Sequence, residues 1–366
     1  MVEKITSSSD ISNLGLDLSK KNLVITKDSQ SAVQFANLLN HSNAFILGNS
    51  ELLPYDFFSM APITRARRIS TLSAYLKDKE ITLISSIATL LSPVPQPIHV
   101  SPLNNLSVGD PFDLESVIDE ITLNGYTRED FVSIPGHYAL RGSVMDIFLT
   151  SGKEPIRIEF FNSQIESLRT FSSESQITHE KINHINFLPS YEYPLNRNSA
   201  EIFKKEWRKR FELFEEDSEL FTRIMNLRHP EGAEIYFPLF YGARSDFIPF
   251  LQYADQIYIQ DNVNDKAHDF EELVNQRYEE YRYDQKRPLL APEDLFLSMN
   301  ELSVNIKDSL TFDMETDYSE IIEKDISQNE RKEKADISSS KMPDKGDLVV
   351  HLTHGIGKFL GLKQLK

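Results

Sequence analysis

The sequence contains no cysteine, which removes disulfides, thiol nucleophiles and cysteine-ligated zinc together. Glycine is sparse, at 13 in 366 residues, and no glycines cluster ahead of a helix as a phosphate-binding turn would require. No Gly-x-x-x-x-Gly-Lys-Ser/Thr occurs, so the backbone cradle for nucleotide phosphates is missing. The first strand leads instead into Thr26-Lys27-Asp28-Ser29, an acid where such a turn needs amides and a lysine. A pair of acids after an apolar strand, which would hold magnesium, is missing too. The best-placed stretch, Ile257-Tyr258-Ile259-Gln260-Asp261-Asn262, offers one carboxylate. Ser143 follows Gly142 without a Gly-x-Ser-x-Gly elbow. His351 and His354, at i and i+3 in a strand-to-turn stretch, do not converge on a metal. No catalysis is expected of this chain, and no metal or cofactor.

Positive charge is also scarce. Thirty-nine Lys and Arg against 56 Asp and Glu give a formal charge of −17 and a pI near 5.0. Such a surface repels phosphate backbones, so little direct DNA binding is expected. No apolar run approaches the ~20 residues of a membrane span, and MVEKITSSSDIS has no apolar signal segment. A cytoplasmic protein fits.

What is present is enough apolar sequence, 40 % with 10 % aromatics, for two or three domains. Residues 22–26, 44–47 and 81–84 read as buried strands. Between them lie a helix capped by Asp28 or Ser29, with Ala32, Phe35, Ala36 and Leu39 as its stripe, and a helix over about 64–76 burying Ile69, Leu72 and Leu76. The alternation predicts a mostly parallel α/β sheet. Arg65, Arg67 and Arg68 are read as the solvated face of the second helix. After Pro93-Val94-Pro95-Gln96-Pro97, a helix near 114–123 leads into another region. Later come a long helix with Phe203, Trp207, Phe211 and Phe214 as its stripe, a strand at 257–259 and a charged helix near 264–282. The first of these carries a basic face, Lys204 to Arg210, with Glu206 and Glu212 interleaved, and reads as a solvated helix. Residues 313–345 are charged and nearly free of aromatics, the composition of a disordered linker.

The most informative stretch is Gly125 to Phe171, dense in β-branched and aromatic residues and broken at Pro135-Gly136, Arg141-Gly142 and Ser151-Gly152. It predicts a small antiparallel meander. Within Ile156-Arg157-Ile158-Glu159-Phe160-Phe161, alternation places Ile156, Ile158 and Phe160 on one face and Arg157, Glu159 and Phe161 on the other. Spacing alone allows two readings of Phe161. A helix of the same chain covers it, the commoner arrangement, or it is an interface anchor beside an arginine.

Gly125-Tyr126, Pro135-Gly136, Arg141-Gly142, Asp146-Ile147-Phe148, Arg157 to Phe161 and Ile165 to Phe171, in that order, resemble the stretch shared by the UvrB and transcription-repair coupling factor families. Leu53-Pro54-Tyr55-Asp56-Phe57-Phe58-Ser59, Gly232 to Phe240, and Gly346 to Leu362 are similar to the coupling factors rather than to UvrB. The resemblance implies a degenerate RecA/helicase-like (UvrB-like) parallel sheet domain, residues 1–102 and 186–312, without ATPase residues. It implies an inserted UvrA-binding antiparallel α+β domain at 103–185, the linker at 313–345, and at 346–366 the start of a Tudor-like RNA-polymerase-interacting module.

Carried over by position, the UvrA-contacting residues are Arg141, Arg157 and Phe161. An acid usually follows that phenylalanine, whereas this chain has Asn162-Ser163. The family as a whole releases RNA polymerase stalled at DNA lesions in transcription-coupled excision repair, through the polymerase β subunit and with ATP and magnesium in motor domains. This chain stops before those and before the polymerase module is complete, so it is expected to be a fragment or a truncated product. Two other readings are a truncated competitor of UvrB for UvrA and an active UvrB-like DNA-dependent ATPase.

Overall fold

In a computed structural model of the chain, the structure describes residues 3–5, 14–103, 105–211, 218–284, 286–306, 308–314, 348–351 and 355–358. The chain divides into two units, Met1–Glu315 and Thr316–Lys366. The first unit opens with strands β1 (Glu3–Ile5), β2 (Lys21–Thr26), β3 (Ala44–Leu47) and β4 (Ile81–Ser86). A β-rich stretch follows: β5 (Asn105–Ser107), β6 (Thr127–Arg128), β7 (His137–Arg141), β8 (Val144–Ile147), β9 (Ile156–Phe161), β10 (Gln164–Phe171), β11 (Thr178–Ile182) and β12 (His184–Asn186). The chain then returns with β13 (Gln256–Gln260) and β14 (Leu310–Met314).

The first and last groups combine into one six-stranded sheet, ordered β1-β14-β13-β2-β4-β3 and parallel throughout. β2 and β4 are buried along their whole length, the mark of central parallel strands covered on both faces. Their alternate residues feed opposite layers. Leu23, Ile25, Ile81 and Leu83 join Ile69 and Leu72 of the helix Pro62–Lys77 and Ala267 of the helix Val263–Tyr281. Val24 and Ile84 join Ala32 and Phe35 of the helix Ser29–Leu39 on the other side. That helix begins where expected because the Asp28 carboxylate accepts the Ser31 N–H at 2.7 Å. The carboxylate thus occupies the strand-to-helix junction at which a phosphate turn would present free amides.

A third core is largely aromatic. Phe203, Trp207 and Phe211 of the helix Arg197–Phe211 pack with Tyr193, Phe237 and Phe240. Phe214 and Glu212, also expected on that helix, lie outside the described residues. Its basic face is only partly solvated, because Glu206 is buried and pairs with Arg210.

The β-rich stretch forms a second six-stranded sheet, ordered β11-β10-β9-β8-β7-β6. Met145, Ile147, Ile156, Ile158, Ile165 and Leu168 line its inner face, which packs on Ile121 of the helix Leu114–Leu123 and on Ile185 of β12. The sheet is not antiparallel throughout, as the meander pattern predicts. β6 pairs with β7 in parallel, Thr127 opposite His137. The connection at 129–136 does not turn back as a hairpin. It crosses the outer face, where Val132 clusters with Ala139, Phe148 and Phe171, and re-enters beside β6. β5 and β12 pair antiparallel, Leu106 opposite Ile185, and form a stem through which the chain enters and leaves this region.

In the second unit, β15 (Leu348–His351) and β16 (Gly355–Lys358) make an antiparallel hairpin, Leu348 opposite Lys358. His354 and residues 315–347, most of the expected linker, lie outside the described residues. Asp313 and Met314, expected to open that linker, belong to β14.

Candidate partner-binding face

Register decides which side chains share the outer face of the second sheet. Ala139 pairs with Asp146, Asp146 with Arg157 and Arg157 with Arg169. One row further, Arg141 pairs with Val144, Val144 with Glu159 and Glu159 with Ser167. Phe161 opposite Gln164 closes the hairpin beyond them. Arg141, Arg157 and Phe161 therefore lie on one face, with β7 and β9 about 10 Å apart, two strand spacings.

The three occupy different environments. Phe161 is 61 % exposed, so no helix covers it and the internal-cover reading fails. It ends β9 just before a two-residue loop, Asn162 and Ser163, with φ of 47° and 59°. Two successive left-handed residues make the primed hairpin turn whose twist matches antiparallel strands. Asn tolerates that conformation better than most residues, which gives the position after Phe161 a local structural reason.

Arg157 is turned inward. Its Nε and Nη2 donate to Asp146 Oδ1 and Oδ2 at 2.7 and 2.9 Å. The two side chains are 21 % and 4 % exposed, and the guanidinium sits 4.9 Å from the centroid of the buried Phe171 ring. The hydrogen bonds it donates to the Asp146 carboxylate hold the Arg157 pKa above its ordinary value. A free guanidinium for a partner's carboxylate is the expectation; the structure places an engaged one here, with Nη1 alone lacking a protein partner among the described residues. Neighbouring Glu159 accepts from Ser167 Oγ at 2.6 Å and lies 3.8 Å from Arg169.

Arg141 is exposed at the end of β7. Its Nη2 donates to the Asp130 carbonyl oxygen at 2.6 Å, and its guanidinium lies 5.0 Å from the centroid of Phe131. Phe131, 64 % exposed, carries no sequence signal beyond being a lone aromatic in a charged loop, and no periodicity reveals it.

The sheet is tied to the parallel-sheet unit by the segment Ser190–Tyr193. The helix Pro62–Lys77 holds that segment with two of the three arginines expected to be solvated. Arg68, 2 % exposed, donates to Glu192 Oε1 at 2.6 Å and Oε2 at 3.1 Å, and to the Gly48 carbonyl oxygen. Arg65, 6 % exposed, donates to the carbonyl oxygens of Ser190 and Met60. It also stacks 3.9 Å above Tyr191, whose other neighbour is the parallel His229 ring at 3.8 Å. Arg67 alone is exposed. A buried charge is tolerated only with fixed partners, and two of the partners here, Ser190 and Glu192, lie more than 100 residues along the chain. Burial lowers the His99 pKa to about 4 and the His229 pKa to about 3, the latter also through the charge of Arg65.

Comparison with known proteins agrees with this division. Residues 105–193 match the UvrB interaction domain, and residues 344–366 match the CarD-like/TRCF RID domain. The chain is 28 % identical over 312 residues to the transcription-repair-coupling factor of Haemophilus influenzae, covering 83 % of this chain and 27 % of that protein. It is 28 % identical over 303 residues to that of Escherichia coli, covering 81 % and 26 % respectively. With the Rickettsia conorii protein, identity is 27 % over 275 residues, covering 72 % and 24 %. The chain thus spans about a quarter of the length of the curated relatives it matches. These matches identify it as a relative of the transcription-repair-coupling factors that carries a UvrB interaction domain.

Proposed function

We propose that the outer face of the second sheet docks UvrA, and that the chain serves transcription-coupled nucleotide excision repair as a UvrA-recruiting scaffold. One observation carries this reading. Within the segment matching the UvrB interaction domain, Phe161 stands exposed beside a two-residue turn, on the face that also carries Arg141 and Arg157. In this reading Phe161 is the apolar anchor. Arg141 supplies an accessible charge, and Arg157 shapes the floor through Asp146 and Phe171 while offering Nη1. The parallel-sheet unit is a non-hydrolytic, RecA-like scaffold, with Asp28 seated where a nucleotide phosphate would otherwise bind. The segment at 344–366 supports RNA polymerase as the second kind of partner.

The test is UvrA affinity. Truncating an anchor of this kind costs ~2 kcal/mol or more, so Phe161→Ala is expected to weaken binding at least tenfold with an unchanged far-UV circular dichroism spectrum. Wild-type affinity in a folded Phe161→Ala chain refutes the reading.

A further inference from the structure

We propose that Phe131 is a second apolar anchor of this face, and that it holds Arg141 in position to meet a carboxylate of the same partner. The inference rests on the docking reading above.

Phe131 is exposed although its loop is firmly held. The adjacent Val132 is 1 % exposed among Ala139, Phe148 and Phe171. Backbone bonds fix the loop on either side: Thr127 N–H to the Gly136 carbonyl and Glu129 N–H to the Tyr138 carbonyl, both at 2.8 Å, and Gly136 N–H to the Phe148 carbonyl at 2.9 Å. A ring presented by a pinned backbone loses little conformational freedom on binding, which favours its use as an anchor.

The charge pattern points to the partner's chemistry. On this face Arg157 is paired with Asp146, and Arg169 reaches Glu159. Arg141 has no carboxylate partner among the described residues, in a chain whose formal charge is −17. Its guanidinium is nevertheless fixed from two directions, by the Phe131 ring and by the Asp130 carbonyl oxygen. A planar, pre-set guanidinium suits a carboxylate. The partner surface is therefore an apolar groove that takes two aromatic rings, bordered by an acidic side chain opposite Arg141.

The experiment measures the affinity of purified UvrA for the full chain as wild type, Phe131→Ala, Phe131→Leu, Phe161→Ala, Arg141→Ala and the Phe131→Ala/Arg141→Ala double variant. Phe131→Ala is expected to lose at least tenfold, and Phe131→Leu, apolar but without a ring to stack on, an intermediate amount. Because ring and guanidinium act as a unit, the double variant loses clearly less than the product of its single losses. Added salt is expected to weaken the wild type more than Arg141→Ala. Wild-type affinity in Phe131→Ala, with Phe161→Ala still tenfold weaker, overturns the second anchor and leaves the docking reading standing. Unchanged affinity in both overturns the docking reading itself. Fully multiplicative losses, or equal salt dependence with and without Arg141, overturn the holding role.

Discussion

Arg157→Ala separates a contact from a support. The substitution takes both fork donors from Asp146, whose carboxylate is 4 % exposed and cannot move into water without opening the sheet. Breaking a buried pair by removing one partner costs about 3–5 kcal/mol. Because 21 % of the Arg157 side chain faces solvent, water can enter part of the gap, and the expected loss is about 2–3 kcal/mol. Removing the guanidinium from the Phe171 ring adds about 0.5–1 kcal/mol. Urea unfolding followed by circular dichroism should therefore place the variant about 3 kcal/mol below wild type. The Arg157→Ala/Asp146→Ala double variant, which leaves neither charge stranded, should regain more than half of that. UvrA affinity measured in parallel then divides the two roles. If the double variant recovers stability and binding together, Arg157 acts by supporting the face; if stability returns and binding does not, Nη1 touches the partner. A single variant within about 0.5 kcal/mol of wild type, the range of ordinary surface substitutions, would refute the energetics argued here.

Four further outcomes follow, three of them from the tie between the two sheets. Gly125 has φ +88°, and a Cβ there would overlap Tyr191 Cδ2 and lie 2.7 Å from Cε2, in a ring held between Arg65 and His229. Gly125→Ala should cost about 2–5 kcal/mol in urea unfolding, from left-handed strain and overpacking together. Gly142→Ala, with φ +61° and nothing within 4 Å, should cost only the strain, about 1–2 kcal/mol. Arg68→Ala strands Glu192 and should cost about 3–5 kcal/mol in the same assay, while Arg68→Met/Glu192→Leu recovers much of it. His99 and His229, with folded pKa values of about 4 and about 3, are neutral in the fold and protonate near 6.5 when unfolded. Their contribution is complete above about pH 6.5 and falls as acidification proceeds toward pH 4. His229→Phe should visibly flatten the urea midpoint against pH between 7 and 5, and an unchanged slope would count against this assignment.

Four of the six parallel strands were legible because they are short apolar runs set between helices with clean 3.6-residue stripes, from Val24 to Tyr258; β1 and β14 were not. The face of Phe161 was legible from alternation, but its exposure was not, since spacing favoured a covering helix that the structure does not have there. Arg65 and Arg68 were not. Periodicity assigns charge to water, and the distant Ser190 and Glu192 that help make their burial tolerable leave no local trace. The inward turn of Arg157 was hidden for the same reason, because it depends on β8 and β9 pairing in the register that puts Asp146 opposite. Phe131 had no pattern to violate. Its prominence comes from the way the parallel pairing of β6 and β7 throws the loop across the sheet.

The stem of β5 and β12 has a consequence for transplantation. Leu103 N–H meets the Phe187 carbonyl at 2.8 Å, and Val108 N–H meets that of Asn183 at 3.1 Å, so the region's two ends run side by side. A segment with adjoining ends closes almost no additional loop when spliced into a surface turn, and the entropy of insertion grows only slowly with its length. The outer face, with Phe161 at its tip, is thus an insertion whose presence adds little loop-closure cost to the sheet that carries it.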